Sequence, residues 1–177
     1  MRKFKAILIT LLIFFILYFF QANIFSWFNI GGIMPNLFAV YALFLGLFVG
    51  NKVGGILGII FGLIIDLSIG SLIGVSSVLL GIIGLLGEYF DKNFSKDSRF
   101  TIILMSAGAT LLFETSIYAL KIFSTGANFE LLSFSLTLFV EIIFNSLLII
   151  ILYPGIKKVG YYIEDSFKGK KILTRYF

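Results

Sequence analysis

From residue 4 onward the chain alternates long apolar blocks with short polar clusters. The first block, residues 4–24, follows a basic start of Arg2, Lys3 and Lys5. A secretory signal has an apolar core of about 7–15 residues and a small-residue cleavage site. This block is longer, rich in Phe and Leu, and lacks such a site, so it reads as a retained span. An uncharged link, SWFNIGGIM, leads to Pro35, whose missing N–H suits a first helical turn. Blocks at 36–50, 53–69, 72–90, 100–122 and 132–153 predict five more helices. Asn51-Lys52 and Gly70-Ser71 mark tight turns, DKNFSKDSRF and STGANFE are polar loops, and Pro154-Gly155 ends the last block. The expected architecture is an all-α integral membrane protein, a single membrane domain over residues 1–177 with six transmembrane helices in a compact bundle.

Composition supports lipid as the solvent. The 177 residues are 59% hydrophobic and 13% charged, with a mean hydropathy of +1.07. Soluble domains carry about 25% charged residues, and a spanning helix needs about 20 apolar ones. Six such helices leave no room for a water-exposed catalytic domain. The absence of Cys and His removes disulfides, thiol chemistry, imidazole catalysis and the usual Cys/His metal patterns. No nucleotide-binding loop is present. Gly54-Gly55-Ile56-Leu57-Gly58 follows no strand and reads as a helix seam.

The net charge of +5 would suggest nucleic acid if it were spread over a surface, but it lies at the block ends. With the amino terminus in the cytoplasm, thirteen of the fourteen Lys and Arg residues fall on cytoplasmic segments and only Lys121 falls outside. Cytoplasmic loops carry such an excess, so both termini are expected to be cytoplasmic. A five-span chain would put the six tail charges outside. The tail, residues 157–177, is basic and aromatic, which suits anionic lipid headgroups, with a cytoplasmic protein as the alternative.

Two patterns call for a physical reason. Glycines recur every fourth residue at Gly46, Gly50, Gly54, Gly58 and Gly62, and again at Gly70 and Gly74. Hydrocarbon gives no hydrophobic drive between helices, so association depends on close packing, and small residues at this spacing allow it. The turn near Asn51 divides the ladder into two facing seams of a helical hairpin. The second pattern is intramembrane acids. Glu114 and Glu141 lie well inside their blocks, and Asp66 lies near the outer end of its own, where the cost of a charge falls. Three roles stay open for them: structural hydrogen bonding, ligand or proton chemistry, and contact with a partner. None has a neighbouring nucleophile or a spacing that defines an enzyme site.

The order of these elements resembles the MreD family of rod-shape-determining proteins. The matching residues are Phe20-Gln21 at the end of the first span, Gly32 before Pro35-Asn36-Leu37, then Gly50, Gly54, Gly58, the run Gly62-Leu63-Ile64-Ile65-Asp66, Gly70 and Gly74. The resemblance implies a non-enzymatic, multi-pass component of the bacterial inner membrane acting in cell elongation and lateral peptidoglycan synthesis. It implies MreC as partner, with a RodA-type glycosyltransferase, a class B penicillin-binding protein and, indirectly, MreB. It also implies a helical arrangement similar to the substrate-binding subunits of energy-coupling-factor (ECF) vitamin transporters. It brings no catalytic residue, cofactor or metal. Gln21, Pro35, Asn36 and Asp66 carry over as motif positions, and Glu114 and Glu141 have no role in it. The rival reading is such a vitamin-binding subunit itself. Against it, the first span has a single alanine and no alanine-x-x-x-alanine docking seam, and the outer links offer few polar groups.

Overall fold

The computed structural model describes residues 2–50, 52–69, 73–126 and 128–168. Its helices are α1 (Arg2–Trp27), α2 (Leu37–Val49), α3 (Val53–Ile69), α4 (Val75–Asn93), α5 (Arg99–Thr125) and α6 (Leu131–Phe167). By length and composition α1, α5 and α6 can cross a membrane, while α2 and α3 are shorter apolar helices. Near its far end α1 widens into a π-helical stretch, Phe20–Ile24, which holds Gln21.

The short α2 is the centre of the bundle. Eleven of its residues, Leu37, Ala39 and Tyr41 through Val49, are buried. A helix that is apolar on every side belongs in a core, and here α1, α3, α4, α5 and α6 all pack on it. At 13 residues it is about 20 Å long, less than the roughly 30 Å hydrocarbon thickness. It therefore cannot carry both of its ends to water. Its unpaired backbone groups must be satisfied inside the protein.

Glycines bring α2, α3 and α4 into backbone contact. A Cβ on Gly46 would strike the Gly84 carbonyl, one on Gly58 the Leu80 carbonyl, and one on Gly62 the Ser77 Cα. From the other side, a Cβ on Gly84 would lie 2.6 Å from the Gly54 carbonyl, and one on Gly54 2.7 Å from the Gly46 Cα. The contact thus joins three helices. Ser77 sits in it and donates its hydroxyl to the Ile59 carbonyl at 2.8 Å. Gly50 and Gly74, placed on the ladder by spacing, lie outside the helices. Both have positive φ, +63° and +98°, and Gly74 faces open space. They are turn residues, because L side chains rarely adopt that backbone conformation. Gly70 lies outside the described residues.

Two further boundaries differ from the sequence reading. The positive φ of Gly74 delays α4 to Val75. Pro154 does not end the last helix, and α6 continues to Phe167. An interior proline removes one backbone hydrogen bond and costs about 3 kcal/mol. The extension is held nonetheless by Tyr153, which donates to the Asp97 carbonyl at 2.6 Å, and by an ion network beyond it. α1 is fastened by the buried Phe14, whose ring stacks on Phe61 at 4.2 Å, and by Tyr41, which donates to the Thr10 carbonyl at 2.6 Å.

Replacing Gly58 or Gly62 with Leu drives a side chain into the backbone of α4 and is expected to cost about 1–3 kcal/mol or more. Gly155→Ala meets nothing within 4 Å and is expected to hold or raise stability. Melting temperatures in detergent distinguish the two classes.

Candidate functional site

The amino end of α2 is secured by polar side chains from α1, α5 and α6. Gln21 uses both ends of its amide, donating to the Pro35 carbonyl at 2.8 Å and accepting the Leu37 N–H at 3.2 Å. Asn36 caps the helix by accepting the Ala39 N–H at 3.0 Å, the usual work of a short polar side chain there. The Asn36 N–H donates to Asn145 Oδ1 at 3.0 Å, and the Asn145 amide donates to the Thr110 hydroxyl at 2.9 Å. The Asn36 amide donates to Glu114 Oε1 at 3.1 Å. The carboxyl groups of Glu114 and Glu141 lie side by side. Gln21, Pro35, Asn36, Glu114 and Glu141 therefore form one cluster. Asn145 and Thr110 also belong to it, although their residue types gave no signal. The available hint was spacing: Asn145 is one helical turn from Glu141, and Thr110 one turn from Glu114, so each pair shares a face.

The carboxyl end of α2 is held by cations. The ammonium groups of Lys96 and Lys168 both donate to the Leu47 carbonyl, at 3.1 and 3.3 Å. Lys96 also pairs with Asp91 at 2.6 Å and Glu164 at 2.8 Å. Lys168 pairs with Asp91 at 2.6 Å and Glu164 at 3.4 Å. Lys96 is only 8% exposed and lies 4.9 Å from the Phe48 ring centre. Positive charge at a helix carboxyl terminus opposes the macrodipole. Burial works to raise Asp91, but hydrogen bonds from Lys168 and Lys96 outweigh it and hold this carboxyl below its ordinary range. Nearby, Asp97 is also held low by bonds from Lys157 and Tyr161. Two tail lysines are thus tied into the protein, and Lys170, Lys171 and Arg175 lie outside the described residues.

Asp66 lies apart from the acid pair. It is fully buried in the protein, three residues before the end of α3. Its Oδ2 accepts the Gly74 N–H at 2.8 Å and the Ser77 N–H at 3.3 Å. The carboxyl group thereby caps the first turn of α4 by accepting its N–H groups. Among the described residues no three His, Cys, Asp or Glu side chains converge to hold a metal.

A groove of about 290 Å³ exposes part of α2 between α1 and α6. Ile13 and Leu17 form one wall, Leu148, Leu152 and Val159 the other, and Val40, Phe44 and Phe48 the floor. The lining is apolar except for Asn145 and Tyr41.

All-helical packing, three membrane-length helices and further apolar ones define a multi-pass membrane protein. The sequence profile of the family described as rod shape-determining protein MreD matches residues 1–160. The chain belongs to that family, whose role is in cell-shape determination. No curated protein and no solved structure matches it.

Asp66→Ala leaves the Gly74 and Ser77 N–H groups without an acceptor and is expected to cost about 1–3 kcal/mol in thermal unfolding. Asp66→Asn keeps one acceptor oxygen and loses less. A second test uses acid. Asp91 titrates lower in the fold than in an unfolded chain, so its contribution is complete above the ordinary carboxylate value of about 4 and is lost as pH falls below it. Melting temperatures measured from about pH 7 to about pH 3 are expected to decline, and Asp91→Asn removes its share of that decline.

Proposed function

We propose that this protein is a non-enzymatic scaffold of the lateral wall-growth machinery. On this reading six helices cross the bacterial inner membrane as a single domain, with both termini in the cytoplasm. Family membership supplies the cellular role, and the groove between α1 and α6 supplies the molecular one. It is apolar and floored by the central helix, which suits packing against the single membrane span of MreC. The glycine contacts at Gly46, Gly54, Gly58 and Gly62 serve this role indirectly, by holding α2 as a rigid floor. The RodA-type glycosyltransferase and the class B penicillin-binding protein would join the assembly at other surfaces, and MreB through the cytoplasmic side. The ECF-like arrangement implied by the resemblance is not needed for this reading. The basic tail would contact anionic lipid through residues not tied into the ion network, such as the exposed Lys158.

Gly155 lines the groove, and a side chain there meets no atom of the protein within 4 Å. Gly155→Phe is therefore expected to fill the groove with the melting temperature unchanged and to abolish co-purification with MreC. Wild-type recovery of MreC by a folded Gly155→Phe variant would refute the groove as its seat. A tightly bound vitamin in the purified protein would favour the transporter-subunit reading instead.

A further inference from the structure

The acid pair at the amino end of α2 carries an inference that does not depend on MreC. The carboxyl groups of Glu114 and Glu141 lie side by side. Two ionised carboxylates only accept hydrogen bonds and repel each other, so a stable contact between them requires a proton on one. The neighbouring groups indicate which. Glu114 already has a donor, the Asn36 amide, aimed at its Oε1. Glu141 is 4% exposed, and its Oε1 meets no donor among the described residues. An ionised Glu141 would be a buried charge lacking the N–H groups that make one tolerable. As the protonated partner it donates to Glu114 and leaves only a neutral carbonyl oxygen unpaired.

Among the described residues the groups around the pair add no cation. α1 contributes Gln21, engaged with Pro35 and Leu37. α2 contributes Asn36, α5 contributes Thr110, and α6 contributes Asn145. Beyond Glu114 on α5 lies Tyr118, whose hydroxyl accepts the Glu130 N–H, and Lys121 beyond it is exposed. Asp66 is turned to Gly74 and Ser77. Among the described residues the positive potential at the pair comes from the amino end of α2, about half a unit charge. It matches one negative charge, not two.

We propose that Glu114 and Glu141 form a proton-binding site. The pair holds one proton on Glu141 and one negative charge on Glu114, and through Asn36 this proton sets the amino end of α2. Loss of the proton would put two negative charges in contact in a medium of low dielectric, where like charges repel strongly. The pair would then separate, and the Asn36 amide would lose its fixed acceptor. The link before Pro35 contains the exposed residues Trp27, Phe28 and Ile30, so its order would follow the pH at that end of the bundle.

Infrared spectra of the purified full chain in detergent, taken from about pH 5 to about pH 10, test the site. The wild type is expected to show the carbonyl band of a protonated carboxylic acid at neutral pH and to lose it as pH rises. Glu141→Gln is expected to lack this band, and Asp66→Asn to keep it. The melting temperature of the wild type is expected to fall as pH rises from about 5 and to level off once the band is gone, because the unfolded chain is already ionised there while the folded pair still holds its proton. That of Glu141→Gln stays level, because its amide still donates to Glu114 and has no proton to lose. Glu114→Gln removes the negative neighbour that opposes ionisation of Glu141, so the band is lost at lower pH than in the wild type. This second variant keeps the test open if Glu141→Gln does not fold. The proposal is overturned if the wild type lacks the band at neutral pH, if the band survives Glu141→Gln, or if Glu114→Gln leaves its pH dependence unchanged.

Discussion

A short helix whose two ends cannot both reach water constrains the rest of this structure. The backbone of α2 has unpaired N–H groups at one end and unpaired carbonyls at the other, and in hydrocarbon each costs several kcal/mol if left alone. The protein surrounds both ends with its own polar groups. Amide side chains and an acid pair serve the amino end, and two lysines serve the carboxyl end. Each set matches the sign of the helix dipole it faces. The two sets draw on α1, α5, α6 and the α4–α5 link, so α2's requirement for partners ties distant parts of the chain together.

The glycine contacts meet a second need of the same helix. Nothing in lipid drives α2 against α3 and α4 except close packing. At Gly46, Gly54, Gly58, Gly62, Gly84 and Gly87 the backbones meet where a Cβ would collide with carbonyl or Cα atoms. Such contact fixes depth and register with little tolerance, so the central helix is held laterally by α3 and α4. The side facing α1 and α6 is different. There large apolar side chains line an open groove, which leaves one face of the core accessible. For a member of a shape-determining family, a rigid core with one open face suits a scaffold.

Much of this organisation was legible along the chain. The apolar blocks, the four-residue glycine spacing and Pro35 at a helix start are local patterns with direct physical meaning, while Gln21 and Asn36 were marked only by the family resemblance. Spacing alone could not separate a glycine chosen for its missing side chain, such as Gly58, from one chosen for its backbone, such as Gly74. Both read identically in sequence, and only φ distinguishes them. Pro154 misled for a related reason. Proline usually ends a helix, but tertiary contacts from Tyr153, Asp97 and the Lys168 network compensate for the lost hydrogen bond.

By itself, the amino-acid sequence determined the solvent, the helices and the residues able to pack closely, because hydropathy and side-chain size are properties of each residue and its near neighbours. It also placed acids within apolar blocks. Which groups those acids meet was decided by tertiary structure alone. Asn36 and Asn145 are separated by 109 positions, and Lys168 and Asp91 by 77. No local periodicity relates residues so far apart. Their pairing follows from the one arrangement of α1, α5 and α6 that gives the buried ends of α2 partners, and that requirement exists only after the helices have come together.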